Sequence, residues 1–309
     1  MTTCSVLTRV CTPELPYLRA FLGHHASLGV HVFHLLLQEE ALAVPLRQLA
    51  GELGIDMQLH PAPSDRTPAQ VLKESHLAFE TEYALLLDPD EFVFLPGKKD
   101  LSSFLASLNQ PASCYLRWVV APCDFQPTSR GKGYLGHIGK HLAQSARIAG
   151  IATAHTFALH NHEPISPFQF ERHDGFIIHY WGRTFIDTVL KCLYYKGVHP
   201  SKQSSIEEVK HCSSPANLPK RLKLLAALNL HHRYISTPDH IANRMDLQKE
   251  EDLLHAHLST AQFDRLKTAY LEYRDFLDNH SNTTAQAAIQ SYPGNSSIQK
   301  LESLLPAWP

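Results

Sequence analysis

The stretch Tyr83-Ala-Leu-Leu-Leu-Asp-Pro-Asp-Glu-Phe-Val-Phe-Leu-Pro-Gly97 decides how this chain is read. Ala84 to Leu87 is an apolar run of the kind that forms a buried central strand, and it stops on three carboxylates, Asp88, Asp90 and Glu91. Open α/β sheets bind ligands outside the carboxyl ends of their strands, so the acids fall where a site is expected. In extended backbone the Asp88 and Asp90 side chains share one face, with Pro89 restricting the chain between them. Hard oxygen ligands arranged in this way suit a divalent cation that also holds phosphates. Asp-Pro is also ordinary turn chemistry. A merely solvated turn, however, is rarely clamped by apolar residues on both sides, as Phe92 to Leu95 clamp this one.

Two other acidic motifs can be compared residue by residue. An EF-hand loop needs glycine at its sixth position, where Val93 stands. The aspartyl-phosphate pattern of haloacid dehalogenase-like phosphohydrolases fits until Phe92 takes the place of Thr or Val. That second reading stays open, with Asp88 as nucleophile and Asp90 as acid/base.

Working outward, 309 residues hold one large α/β domain with additions, or two smaller ones. A net charge of -2 provides no general field for nucleic acid. The six cysteines form no C-x-x-C pair, so a zinc ribbon or a thioredoxin-type site is not expected. No apolar run reaches the roughly 18 residues of a membrane span, and the first residues lack a signal peptide's segments. A cytoplasmic chain is expected, with a peripheral position at the inner face of a membrane compatible with the same features. Asn282-Thr-Thr and Asn295-Ser-Ser then read as chance sequons.

The order of elements before the acids supports a parallel, doubly wound sheet. Strands are expected at Cys4 to Val10, Val30 to Leu37 and around Met57 and Leu59, with helices from Pro16 to Gly29 and from Pro45 to Leu53. Thr67-Pro68-Ala69-Gln70 is a capping box that opens a helix running to about Thr81. Beyond the acids, Cys114 to Val120 and Phe176 to Ile178 read as strands, and Gly131, Gly133, Gly136 and Gly139 read as a flexible loop closed by Lys140. Residues 201–219 read as loop, 221–230 and 258–279 as helices, and residues after Asn279 as a loosely ordered tail. The resulting division is 1–200 for the sheet domain, 201–280 for a helical C-terminal extension and 281–309 for the tail.

Three blocks carry a resemblance. Leu87-Asp-Pro-Asp-Glu-Phe92, Tyr17-Leu-Arg-Ala-Phe-Leu-Gly-His-His-Ala-Ser-Leu-Gly-Val30, and Ile178-His179-Tyr180 with Arg183, Thr184, Phe185 and Lys191 are similar to signatures of glycosyltransferase family 2-like and family 92-like proteins. These have the nucleotide-diphospho-sugar transferase (GT-A) fold, and the blocks occur in the same order over about residues 4 to 195. Thr12-Pro13-Glu14 stands where those families carry Asn-Glu, and Gln38-Glu39-Glu40 replaces an Asp-Asn-x-Ser turn, so the nucleotide's base and ribose contacts are not implied, and a catalytically degenerate protein that only binds a sugar nucleotide stays open as an alternative.

The resemblance implies a hexosyltransferase-like enzyme of inverting mechanism. It would take a nucleotide-sugar donor and a glycan, lipid-linked or protein acceptor, with Mn2+ or Mg2+ as cofactor and no nucleic acid. It implies metal ligation by Asp88, Asp90 and His179. Asp88, Glu91, Lys140 and Trp118 become candidates for binding donor or substrate, and Asp124, after the Cys114 strand, a candidate base. His160-Asn161-His162 can turn two imidazoles to one side, and Trp118 and Trp181 can stack on a sugar, although satisfied histidines and core aromatics are commoner. His24 and His25, like most of the 21 histidines, are expected on the surface or as satisfied core partners.

Overall fold

A computed structural model of the chain describes residues 2–63, 70–71, 78–122, 130–153, 155–160, 175–194, 206–219, 221–223, 225–226, 233–236 and 245–279, without side chains for 119–138, 181, 206 and 233–236. Contacts divide the chain into two units: residues 1–119, 138–179 and 240–246 form the first, and the remainder the second.

The first unit opens with β1 (Cys4–Val10), α1 (Leu15–Ser27), β2 (Val30–Leu37), α2 (Ala43–Leu53) and β3 (Asp56–Pro61), followed by β4 (Tyr83–Leu86). These strands pair in parallel in the order β3-β2-β1-β4. The order reverses between β1 and β4, which is the topological switch point of a doubly wound sheet. Helix α2 stops at Gly54, whose φ of 63° lies in the left-handed region that glycine adopts without a Cβ penalty. Every residue of β4 is buried, and Leu7, Leu36, Ala84, Leu86, Ala143 and Phe157 share one core cluster. A buried leucine contributes roughly 1.5–3 kcal/mol over an exposed one, so the strand ends where the apolar residues end.

The sheet then becomes mixed. The order continues through β7 (Arg130–Gln144), β6 (Ser113–Pro122) and β10 (Phe176–Gly182) to β5 (Glu91–Phe94). The β4–β7 and β10–β5 pairs are antiparallel. Five Cα steps join Leu86 to Glu91 and reach at most roughly 17 Å. Four flat inter-strand spacings would need roughly 19 Å, so the sheet curls and brings β5 back toward the end of β4.

The remaining elements of this unit are α3 (Leu101–Ser107), capped by Asp100, and the hairpin of β8 (Ile148–Thr153) and β9 (Thr156–Leu159). The second unit holds α4 (Phe185–Tyr194), α5 (Ile206–Lys210), β11 (Arg233–Ser236), α6 (Leu247–His255) and α7 (Thr260–Asn279). There β11 pairs antiparallel with Arg130 to Gly133 of β7, and Phe185 packs its ring on Tyr270 at 4.8 Å.

Several expectations change. The glycine-rich stretch before Lys140 is strand β7 rather than a loop. Its Gly139 is required because a Cβ there would lie 1.9 Å from the Leu116 carbonyl oxygen. Residues expected as loop after Ser201 include the short helix α5. Ala78 to Glu80 carry no helix, and most of the expected capping-box helix lies outside the described residues, as does the tail. No helix among the described residues is long and apolar enough to cross a membrane.

Candidate functional site

The acids do not continue the strand. The Glu91 N–H donates to the Asp88 carbonyl at 3.0 Å, closing a turn with Pro89 and Asp90 at its centre, and proline is favoured at the first of those central positions. This replaces the extended geometry expected for Asp88 and Asp90, and the two carboxylates take different partners. Oδ2 of Asp88 lies 2.7 Å from Nζ of Lys140, while Oδ1 of Asp90 lies 3.5 Å from Nε2 of His179. Asp88 remains about half exposed, with 48% of its side-chain surface accessible, whereas Asp90 is buried.

Glu91 is the residue that the turn brings in. It begins β5, has no exposed surface and pairs directly with His179 of β10 in the antiparallel register. Residues opposite one another in such a pair project to the same face. One ligand atom each from Asp90, Glu91 and His179 lie within 4.8 Å of one another. Asp88, counted as a metal ligand from its spacing, falls outside this group.

The electrostatics are unbalanced. Burial pushes the Glu91 carboxyl well above the usual carboxylate range, and Lys140, 3.5 Å away, offsets this only in part. Lys140 has no exposed surface. Burial works against its charge, but Asp88 and Glu91 outweigh that and hold its pKa above the usual lysine value. One oxygen of Glu91 accepts the Asp88 N–H at 2.8 Å, while Oε1 is buried without a hydrogen-bond partner, as is Nδ1 of His179. A buried carboxylate oxygen left unmatched beside a second acid and an imidazole is the chemistry a divalent cation completes. The described side chains therefore fit a cation.

Trp118 packs its ring 4.2 Å from His179 and 5.0 Å from His155. His155 belongs to none of the sequence motifs. Its ring hydrogen-bonds the Gly139 carbonyl, and burial, then Lys140, lowers its pKa to about 4, so it is neutral at pH 7. No local signal marks it, because only the β8–β9 turn brings it to β7. His160 is exposed, and Asn161 and His162 lie outside the described residues, as do Asp124 and the Trp181 side chain.

Fold and site together define an α/β protein with a curled mixed sheet and a buried Asp/Glu/His group at the end of a central strand. No protein-family model matches the chain, and no curated protein matches it. Similar solved structures overlap it only in part. 4-Diphosphocytidyl-2C-methyl-D-erythritol synthase from Anaerococcus prevotii is 11% identical over 41% of this chain, with a TM-score of 0.27, and the overlap spans 57% of that protein. HddC from Yersinia pseudotuberculosis is 10% identical over 60% of this chain and 91% of its own, with a TM-score of 0.31. S. aureus TarS, solved in complex with UDP, is 14% identical over 41% of this chain and 37% of its own, with a TM-score of 0.27.

Proposed function

We propose that this chain is a metal-dependent, inverting glycosyltransferase that moves a sugar from a nucleoside-diphosphate donor to a glycan, lipid-linked or protein acceptor. The observation that carries the reading is the convergence of Asp90, Glu91 and His179 beside the switch point between β1 and β4. The three sequence blocks that resemble glycosyltransferase families support it, since two of them supply these residues.

Asp90, Glu91 and His179 would hold Mn2+ or Mg2+, and such an ion supplies Lewis-acid stabilisation of the charge that builds on a departing diphosphate. The protein's own side chains do the rest. Lys140 is too deeply buried to meet a diphosphate as a free cation, and its ammonium anchors Asp88 instead. Asp88, held at one oxygen and half exposed, presents its carboxylate as an acceptor for a donor hydroxyl. Trp118 braces the His179 ring and gives the site an aromatic wall. An inverting transfer also needs a carboxylate that takes the acceptor's proton, and Asp124 is our candidate.

The phosphohydrolase reading has less support. Its motif belongs on the first strand of its sheet, and here three strands among the described residues precede β4. Calorimetry with UDP, GDP, CDP and ADP, each with and without Mn2+, tests the proposal. Manganese-dependent binding of one of them, lost in Asp90→Asn, is the expected result. Binding of none, or hydrolysis of p-nitrophenyl phosphate that Asp88→Asn abolishes, overturns it.

A further inference from the structure

Strand β5 lies at the end of the sheet and spans only Glu91 to Phe94. One side pairs with β10, through Phe94↔Phe176, Val93↔Ile177, Phe92↔Ile178 and Glu91↔His179. An edge strand normally leaves its outer N–H and C=O groups to water or to another chain. At Val93 two histidines of α1 take both. Nε2 of His24 lies 2.8 Å from the Val93 carbonyl, and the Val93 N–H donates to Nε2 of His25 at 3.3 Å.

The chemistry fixes both tautomers. A carbonyl only accepts, so Nε2 of His24 carries the hydrogen that reaches the Val93 oxygen. Nδ1 of His25 lies 2.8 Å from the Phe21 carbonyl and by the same logic carries its hydrogen. Its Nε2 is then a lone pair, which the Val93 N–H requires. Burial, and then His24, keep the His25 pKa well below the usual histidine value, in agreement with that neutral form. The rings also grip the neighbouring residues: His24 lies 5.4 Å from Phe92 and 5.3 Å from Phe94, and His25 stacks on Phe92 at 5.9 Å.

A slip by one residue turns every side chain of a strand to its other face. For β5 such a slip would remove Glu91 from the face it shares with His179.

We propose that His24 and His25 are positioning residues that read both polar groups of Val93, lock the register of β5 and so hold Glu91 opposite His179. The inference rests on the reading of Asp90, Glu91 and His179 as a cation site. It adds that the helix after the first strand sets that site's geometry without touching it.

The test compares His25→Leu and His24→Leu with His25→Gln and His24→Gln in the full chain. Mn2+ affinity is read by electron paramagnetic resonance titration, and Val93 amide protection by hydrogen exchange. Glutamine places an acceptor and a donor at the reach of histidine Nε2, whereas leucine fills the space with neither. Each leucine variant is expected to lose about tenfold or more in Mn2+ affinity, the scale of lost outer-sphere support, and His25→Leu also loses Val93 protection. Each glutamine variant is expected to restore affinity to within about threefold of the parent. A folded leucine variant with parental affinity, or a glutamine variant that folds but binds as poorly as leucine, overturns the proposal. Should a leucine variant not fold, the corresponding glutamine variant decides. If the parent binds no Mn2+, the cation reading fails. The register claim then stands or falls on whether Val93 is protected in the parent and exposed in His25→Leu.

Discussion

Asp187 and Glu91 are both carboxylates with no exposed surface, and their pKa values move in opposite directions. Asp187, in the second unit, lies under donors. Arg183 reaches it through its backbone N–H at 2.9 Å, Nε at 3.1 Å and Nη2 at 2.9 Å, and Lys191 Nζ lies 3.1 Å away. Burial pushes its carboxyl up, but the two cations outweigh that and hold it below the usual range. The same network extends through Thr184, whose hydroxyl donates to buried Glu250. Glu91, in the first unit, shares one ammonium with Asp88, has Asp90 as a neighbour, keeps Oε1 unpartnered and stays high. A cluster that serves the fold balances its charges and fills its hydrogen bonds. A cluster left acidic and half satisfied at the end of a strand has the composition that a cation can complete.

That contrast is open to attack by substitution. The largest effect is expected from Asp187→Ala, which removes the carboxylate shared by two buried cations and should cost about 3–5 kcal/mol in urea unfolding. A loss below about 1 kcal/mol would erase the distinction between the clusters.

Acidification comes next. His34 and His141 are buried and held down to about 4, from an ordinary value of 6.5. Unfolding lets them bind protons, so stability should fall once pH drops below about 6.5, by roughly 1–2 kcal/mol for each imidazole at about pH 5. Asp187 adds to the loss lower down. Its depressed pKa contributes stability above the unfolded carboxylate value of about 3.9, and this disappears as pH falls through the folded value. A Tm that stays level between about pH 7 and 5 would contradict the buried, neutral imidazoles.

Asp100 offers a satisfied carboxylate near the surface. It accepts the Ser103 N–H at 2.8 Å and caps α3, and those bonds lower its pKa. Asp100→Ala should cost about 1 kcal/mol, measured by urea unfolding. The smallest change in stability is expected from Glu91→Gln, within about 1 kcal/mol of the parent, because an amide is no worse buried there than an acid with a raised pKa. A larger loss would place Glu91 with Asp187 among the carboxylates that hold the fold together.

Much of the first unit could be read in advance because it is local. β4 is an apolar run, β1 and β2 are mostly apolar, and glycines follow the ends of α1 and α2 at Gly29 and Gly54. What could not be read depends on pairing across the chain. Phe92 to Phe94 looked like an apolar clamp after a turn and is an edge strand, whose partner lies far along the sequence in β10. The glycines before Lys140 look like a loop until a neighbouring backbone approaches Gly139 too closely for any Cβ. At the site, Asp90 and His179 could be named from motif and strand position, but Glu91 becomes the third member only through the register opposite His179. Asp88 was placed by a period-two argument that the Pro89 turn cancels. His24 and His25, expected as surface residues or satisfied core partners, are satisfied in the core, and nothing in their spacing discloses that Val93 satisfies them.

Mn2+ titration by electron paramagnetic resonance on the parent and on Asp90→Asn, Glu91→Gln and His179→Ala tests the central claim most directly. One ion per chain in the parent is expected, weakened about tenfold or more in each variant while the folded fraction stays at the parent's level. A parent that binds no ion, or variants that bind it as the parent does, would contradict the assignment of Asp90, Glu91 and His179 to a cation.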